Sequence, residues 1–322
     1  MSAPTTNRRP WIRQTLRRHP PGAQVWIGVG ILAFYLAVAV SALIEFRGTL
    51  ATLQGNPAWV PPWIWIGPTW AHPFGILYGF GVSLSTAVWQ ATPWDLGIVV
   101  AILALDGAIG AVLGAVAGLY EGRWPDTAIT FVSDSFGAIP SMFLVVVVFA
   151  GFSLAAPSSD SLPVFVVLFA LVLWPTCARA VRDRVRIVSR QPYVEASRAM
   201  GASRSRILLR HLLPNAVEPV LAQLPIDFIA IFFVLSVFPW WLCVSTNPPF
   251  YIPRLPAFSP LPTAMFPEWG LLLGYGSCFA FLYPAGPVFW WMVLFPLLAI
   301  VGLGLGIALT LDGIGDWIRA RA

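Results

Sequence analysis

The sequence predicts an all-α, polytopic membrane protein: a bundle of about six transmembrane helices with a helical loop on the cytoplasmic side. Three observations predict this. Only 10% of the 322 residues are charged, against about 25% in a soluble domain. The hydrophobic share is 58% and the mean hydropathy +0.77. The apolar residues fall in unbroken blocks, several close to the ~20 residues that cross a bilayer. Lipid admits only helices or closed barrels, and runs without strict alternation select helices. An ordinary soluble enzyme and a disordered tail are both excluded.

The charge pattern orients the chain. Residues 1–24 hold Arg8, Arg9, Arg13, Arg17 and Arg18 and no acid, and residues 182–214 hold eight Arg against Asp183 and Glu195. Such blocks could meet nucleic acid. In a chain this apolar they fit the positive-inside rule better, which places both in the cytoplasm and predicts no nucleic-acid partner. All 19 basic residues are Arg. A P-loop needs a Lys on the phosphates and a Schiff-base enzyme needs a Lys amine. The chain therefore reads as a non-enzyme without its own cofactor, and any ATP it uses is hydrolysed by another polypeptide. Cys177, Cys243 and Cys278 lack C-x-x-C spacing, which suggests neither a zinc site nor a redox pair. His19, His72 and His211 lie far apart in sequence, so no metal site is predicted.

The elements follow in order. Residues 1–24 form a basic cytoplasmic tail, and a first span covers about 25–44. No clear small-residue cleavage site follows it, which favours a retained anchor over a signal peptide. Residues 45–96, rich in Trp and Pro, read as an external loop with interfacial segments. Residues 97–311 read as the helical core. Its spans are expected at about 97–120, 136–152, 162–178, 220–242 and 287–311. The stretches 74–90 and 269–284 are apolar but would break the parity of crossings, so both read as interfacial or re-entrant. Residues 312–322 form a second cytoplasmic tail. Pro175, Pro225 and Pro296 are expected to kink their helices.

The Arg-rich segment 179–214 carries the chemistry. Pro192 suits a first helical turn, and Glu195 sits near the helix N-terminus, where a carboxylate is favoured. Gly201 permits a left-handed turn. Ser203 can cap a second short helix, with Ile207, Leu208, His211 and Leu212 at helical spacing. Pro214 is expected to end it. The product is a helix–turn–helix with a shelf of small residues and a basic outer face. It suits a groove on another protein. It equally suits anionic lipid, and the spacing alone leaves both open.

The same residues resemble the EAA motif of ABC importer permeases, E-A-A-x3-G-x9-I-x-L-P. Glu195, Ala196, Gly201, Leu213 and Pro214 stand at the family spacing; Ser197 replaces the second Ala and His211 the Ile. His72-Pro-Phe-Gly75, Ala117-Gly-Leu-Tyr-Glu-Gly122, Pro267-Glu-Trp-Gly270 and Asp312-Gly-Ile-Gly-Asp316 resemble, in order, further elements of the dipeptide/oligopeptide (DppC/OppC-like) branch. The chain departs from that branch after Gly75, where the usual Gly-Thr-Asp stretch is missing. Its loop at 243–266 is also enlarged.

The resemblance implies a permease subunit of an ATP-driven importer in the cell membrane. Its partners would be a second, DppB/OppB-like permease, two ABC ATPases that bind ATP and Mg, and an extracytoplasmic binding protein. Glu195, Ala196, Ser197, Gly201, His211, Leu213 and Pro214 would couple it to an ATPase. Glu195 would either meet a basic group there or cap its own helix. Di- or oligopeptides are the implied substrates, with oligosaccharides or nickel as the alternative. Asp106 and Asp227 are costly in lipid and point to function. They would line the substrate pathway, or else serve only interhelical hydrogen bonds. A proton-coupled secondary transporter would use the two as a relay, but inverted repeats, which that class usually shows, are not evident.

Overall fold

The computed structural model describes residues 22–53, 67–77, 82–139, 161–245, 268–282 and 290–319, with 143, 144 and 147. The basic tail, most of the 54–66 stretch and of the expected span 136–152, and the loop 246–267 lie outside the described residues. The helices are α1 (Ala23–Leu53), α2 (Leu84–Leu119), α3 (Trp124–Gly137), α4 (Ser161–Ser189), α5 (Pro192–Ala199), α6 (Arg204–Ile207), α7 (Leu213–Ser245), α8 (Trp269–Leu282) and α9 (Trp290–Arg319). Two-residue strands β1 (Ile76–Leu77) and β2 (Val82–Ser83) form one small antiparallel hairpin. Among the described residues, four segments, Ala23–Glu45, Leu84–Leu119, Arg204–Val237 and Trp290–Trp317, are long and apolar enough to cross a membrane. The expected span 162–178 is the apolar part of α4, whose second half carries Arg179, Arg182, Asp183, Arg184 and Arg186.

Several boundaries differ from the sequence reading. The described residues of the stretch 74–90 form a turn, strands β1 and β2 and the first residues of α2, so the second span starts at Leu84 and not near 97. The turn explains its residues. Gly75 sits at φ +80, its N–H bonds to the His72 carbonyl, and its own carbonyl accepts from Leu84 N, the first amide of α2. Phe74 stacks on Phe295 of α9 with ring centroids 4.0 Å apart. Helix α8 has 14 residues, about 21 Å at 1.5 Å per residue, too short to cross. The cysteine spacing left one pairing unseen: Cys278 is disulfide-bonded, while Cys177 is free and buried. Spacing along the chain says nothing about cysteines that helix packing brings together.

Small residues set the packing. Helix α2 makes its most extensive contact with α4, through glycines at intervals of four, where helical neighbours share a face. A Cβ at Gly110 would meet Cys177, one at Gly114 the Ala178 carbonyl and Val181, and one at Gly118 Val185. With no Cβ the helices approach closely, the device membrane interfaces use where lipid offers no hydrophobic drive for helix association. The main core joins Ile98, Ile102, Phe169, Phe228, Ile231 and Trp269.

The short α8 is seated inside that core. Trp269 is fully buried and donates its indole N–H to the Val88 carbonyl (2.9 Å), while its backbone N–H bonds to Asp95 Oδ2 (3.0 Å). A Cβ on Gly270 would press on Leu235, which accounts for the Trp-Gly pair there. Helix α9 closes on α1, where Tyr35 donates to the Ala299 carbonyl (2.8 Å) and Gln24 to Asp316 (3.3 Å).

We expect Gly114→Val to lower detergent-extracted stability by about 1–3 kcal/mol, the usual cost of overpacking. Exposed Gly30, with no neighbour at its Cβ position, is the control. Thermal midpoints of the two variants check this.

Candidate functional site

The expected helix–turn–helix is present at the basic end of the bundle. Pro192 opens α5 as its first residue, and Gln191 precedes it in extended conformation. Helix α5 stops because Gly201 takes φ +83. Gly201 N bonds to the Arg198 carbonyl (3.0 Å) and Ala202 N to the Ser197 carbonyl (3.1 Å), a left-handed stop that costs an L-residue about 1–2 kcal/mol. Ser203 caps α6 by accepting from Arg206 N (3.3 Å).

The expectation for Pro214 is corrected. It does not end the helix; it is the second residue of α7. Proline removes an i→i−4 bond and crowds the carbonyl four residues back. Here the chain relaxes that conflict with a π-helical turn, Leu208–Leu212, and Asn215 Nδ2 bonds to the His211 carbonyl (2.7 Å). Helix α6, the π turn and α7 therefore run on as one rod from the loop into the membrane.

The loop is anchored on one side and open on the other. Val194 is fully buried in a cluster with Val181, Val185, Val188, Ile207 and Leu212. Ser197 Oγ lies 3.4 Å from His211 Nε2, and the Tyr193 ring packs on the same imidazole. This ties α5 to the π turn. Glu195, Ala196, Arg198, Ala199 and Gly201 are exposed, as is Met200 at 80%. Leu213 is half-buried and Pro214 exposed. Glu195 lines a cleft of about 650 Å³ with Glu121, Arg123, Arg190, Arg198 and Arg204. Among the described residues its carboxylate makes no ion pair and does not cap α5, so it is available to a group outside this chain.

Sequence reasoning missed the brace beneath the loop. Asp126, on α3, is 3% exposed. It accepts from Arg182 Nε (2.6 Å), Arg186 (3.2 Å) and Gly122 N (2.9 Å). Glu121 holds Arg186 (3.4 Å) and Arg190 (3.1 Å). Arg204 lies over the Tyr120 ring at 5.2 Å. Arginines at spacing of four, Arg182 and Arg186 on α4 and Arg190 just past its end, were the available signal. Burial pushes Asp126 up. The Arg182 hydrogen bond, the Gly122 N–H and the charges of Arg182 and Arg186 outweigh it and hold the carboxyl below its ordinary range.

The two intramembrane acids, far apart in sequence, are brought together. Asp106 is fully buried and Asp227 is 2% exposed, and their carboxyl groups face each other. Neither opens onto the surface of this chain.

The family model described as "Binding-protein-dependent transport system inner membrane component" matches residues 110–246, from the glycine ladder of α2 to the end of α7. Over those residues the chain carries that family's pattern. The permease is 26% identical to the dipeptide transport system permease protein DppC of Alkalihalophilus pseudofirmus over 309 residues, 95% of this chain and 88% of that protein. It is 28% identical to the glutathione transport system permease protein GsiD of Pectobacterium atrosepticum over 250 residues, 78% and 73% of the two chains. These likenesses are all to membrane permease components of transport systems, and those of the two relatives carry a dipeptide and glutathione.

Asp126 contributes stability that is fully present above the ordinary Asp range, about 3.9, and is lost as pH falls through its lower folded value. We expect Asp126→Asn to lower the thermal midpoint at pH 7 by the equivalent of about 3 kcal/mol, the low end for breaking a buried pair. It should also flatten the acid-side decline. Midpoints measured from pH 7 down to pH 3, a window set by that ~3.9 reference, check both.

Proposed function

We propose that this permease is one of two different membrane subunits of an importer for di- or oligopeptides, and that α5 with the Gly201 turn is its coupling element. Two ATPase subunits dock beneath, one on the exposed face of Glu195, Ala196, Arg198 and Met200. An extracytoplasmic binding protein delivers substrate to the opposite end. The observation that carries this reading is mechanical. The exposed helix α5 is tied through Ser197 and His211 to the π turn, which continues without a break into α7. A push on α5 is therefore delivered along a membrane-spanning rod, and rigid-body movement of such elements is how domain closure becomes alternating access. Ala196 and Ser197 keep the docking face low, and Glu195 offers a carboxylate to a basic group on the ATPase. ATP and Mg stay with the partners. The dipeptide and glutathione permeases named above support a peptide substrate.

Both termini are assigned to the cytoplasm, with six crossings between them, on the Arg content of residues 1–24 and 182–214. The disulfide at Cys278 supports the same orientation, because disulfides persist on the oxidising side and α8 lies at the end of the fold away from α5.

Gly201→Leu is expected to leave the chain in the membrane and bound to its partner permease. ATP-driven peptide uptake should fall by at least about tenfold, or about 1.4 kcal/mol, while ATP hydrolysis continues. Uptake at the normal rate would overturn the coupling assignment. A protease site placed after Ala322 should be cut in inside-out vesicles and protected in intact cells; the reverse pattern would overturn the orientation.

A further inference from the structure

Three helices meet around Asp106 and Asp227 at one level. Asp106 lies 13 residues before the end of α2, Asp227 14 residues after the start of α7, and Thr176 13 residues before the end of α4. Each is about 20 Å from the basic end of its helix. Gly107 lets α7 in, since its Cβ would meet Val220 and Leu224, and Gly110 lets α4 in at Cys177.

The hydrogen bonding around the pair is incomplete in one specific way. Asp227 Oδ1 accepts from Gln223 Nε2 (3.0 Å), and Gln223 also reaches Thr176 Oγ1 (3.4 Å). Asp227 Oδ2 and both oxygens of Asp106 are buried without a donor, although the two carboxyl groups touch. An ionised carboxylate only accepts; a carboxylic acid also donates. The other titratable group facing the pair is the Cys177 thiol of α4. No basic side chain faces it among the described residues: Arg179 turns to Asp134 and the Ser133 carbonyl, and Arg184 to Glu218. Two contacting carboxylates without a counter-cation cannot both be charged in such a place. A hydrogen shared between them removes one of the two charges and engages two of the three orphaned oxygens.

We propose that Asp106 and Asp227 form an intramembrane proton-binding site, a one-proton latch between α2 and α7 that opens when the coupling element moves. Half-buried Gln223 and exposed Thr176 form the polar route by which the proton exchanges with the surface of α4 and α7. In the closed latch one carboxyl donates to the other and the pair carries one negative charge. When α7 is driven away from α2, the O–H bond breaks, the proton passes to water, and both acids are left ionised and hydrated. Reclosure takes the proton back. The energy comes from the ATPases; the proton returns to the side it left. Opening the latch rests on the coupling reading above, whereas the bound proton does not.

The test uses the assembled importer. Infrared spectra of the resting complex near neutral pH should show a carboxylic-acid C=O band that shifts in D2O and is missing from Asp106→Asn and Asp227→Asn. An Asn side chain can still donate to the remaining carboxylate, so both Asn variants should assemble, whereas Asp106→Ala should lose uptake by at least about tenfold. Identical spectra in wild type and both Asn variants would overturn the proton site. Should the Asn variants not assemble, proton release read in wild type by a pH dye on trapping the ATPases with vanadate decides it. One proton per complex supports the latch. Trapping without release overturns it while leaving the coupling reading intact. Failure of Gly201→Leu to uncouple would instead sink the coupling reading and leave the band as evidence for the bound proton.

Discussion

The glycine ladder on α2 is the constraint on which the other features rest. Gly110, Gly114 and Gly118 place the backbone of α4 where side chains would otherwise stand. In lipid there is little gain from hiding apolar surface between helices, so close backbone approach and its dispersion contacts must supply the cohesion. At its basic end this contact carries Val181 and Val185 into the cluster that seats Val194, and so supports α5. Near its middle it sets Cys177 beside Asp106. A shift between α2 and α4 would disturb both ends at once.

Polar groups divide the same frame into fixed and movable parts. Asp126 and Glu121 brace α3 and the turn before it against Arg182 and Arg186 of α4 and Arg190 just after it, with charge-assisted bonds. Trp269 and Asp95 pin α8 to α2. The contact of α7 with α2 has no such brace at the level of Asp106 and Asp227, only two acids and Gln223. The rod that begins at the π turn therefore lacks a charged brace at this level, while the α5 loop at its root is held by a valine and a histidine.

A π turn at the root of this rod is the local cost of Pro214. The proline deprives Arg210 of a helical acceptor role, and Asn215 repairs the neighbouring His211 carbonyl. π turns concentrate at functional sites because they place one extra residue in a helix without ending it. Here the extra residue keeps His211 on the side of Ser197 while the helix proceeds.

Composition, blocks of apolar residues and arginine placement were sufficient for the class, the membrane and the orientation expected of the chain, because those depend on transfer free energies that add along a sequence. The helix–turn–helix of α5 and α6 was also legible, because caps, a turn glycine and helical spacing are local. The rest depended on residues far apart in sequence. Apolarity alone could not separate Phe74–Gln90 into a turn, a hairpin and a helix start, since the deciding bonds run from Gly75 to Leu84 and from Phe74 to Phe295. Pro214 was misread because a helix can widen by one residue and continue. Asp126 was invisible as a brace and Cys278 as a disulfide partner. Asp106 and Asp227 were conspicuous one by one, yet their meeting, 121 positions apart, is decided by glycines on a third face. Transfer energy is additive and can be read along a chain; contact is a property of pairs, and only the packed helices determine which pairs exist.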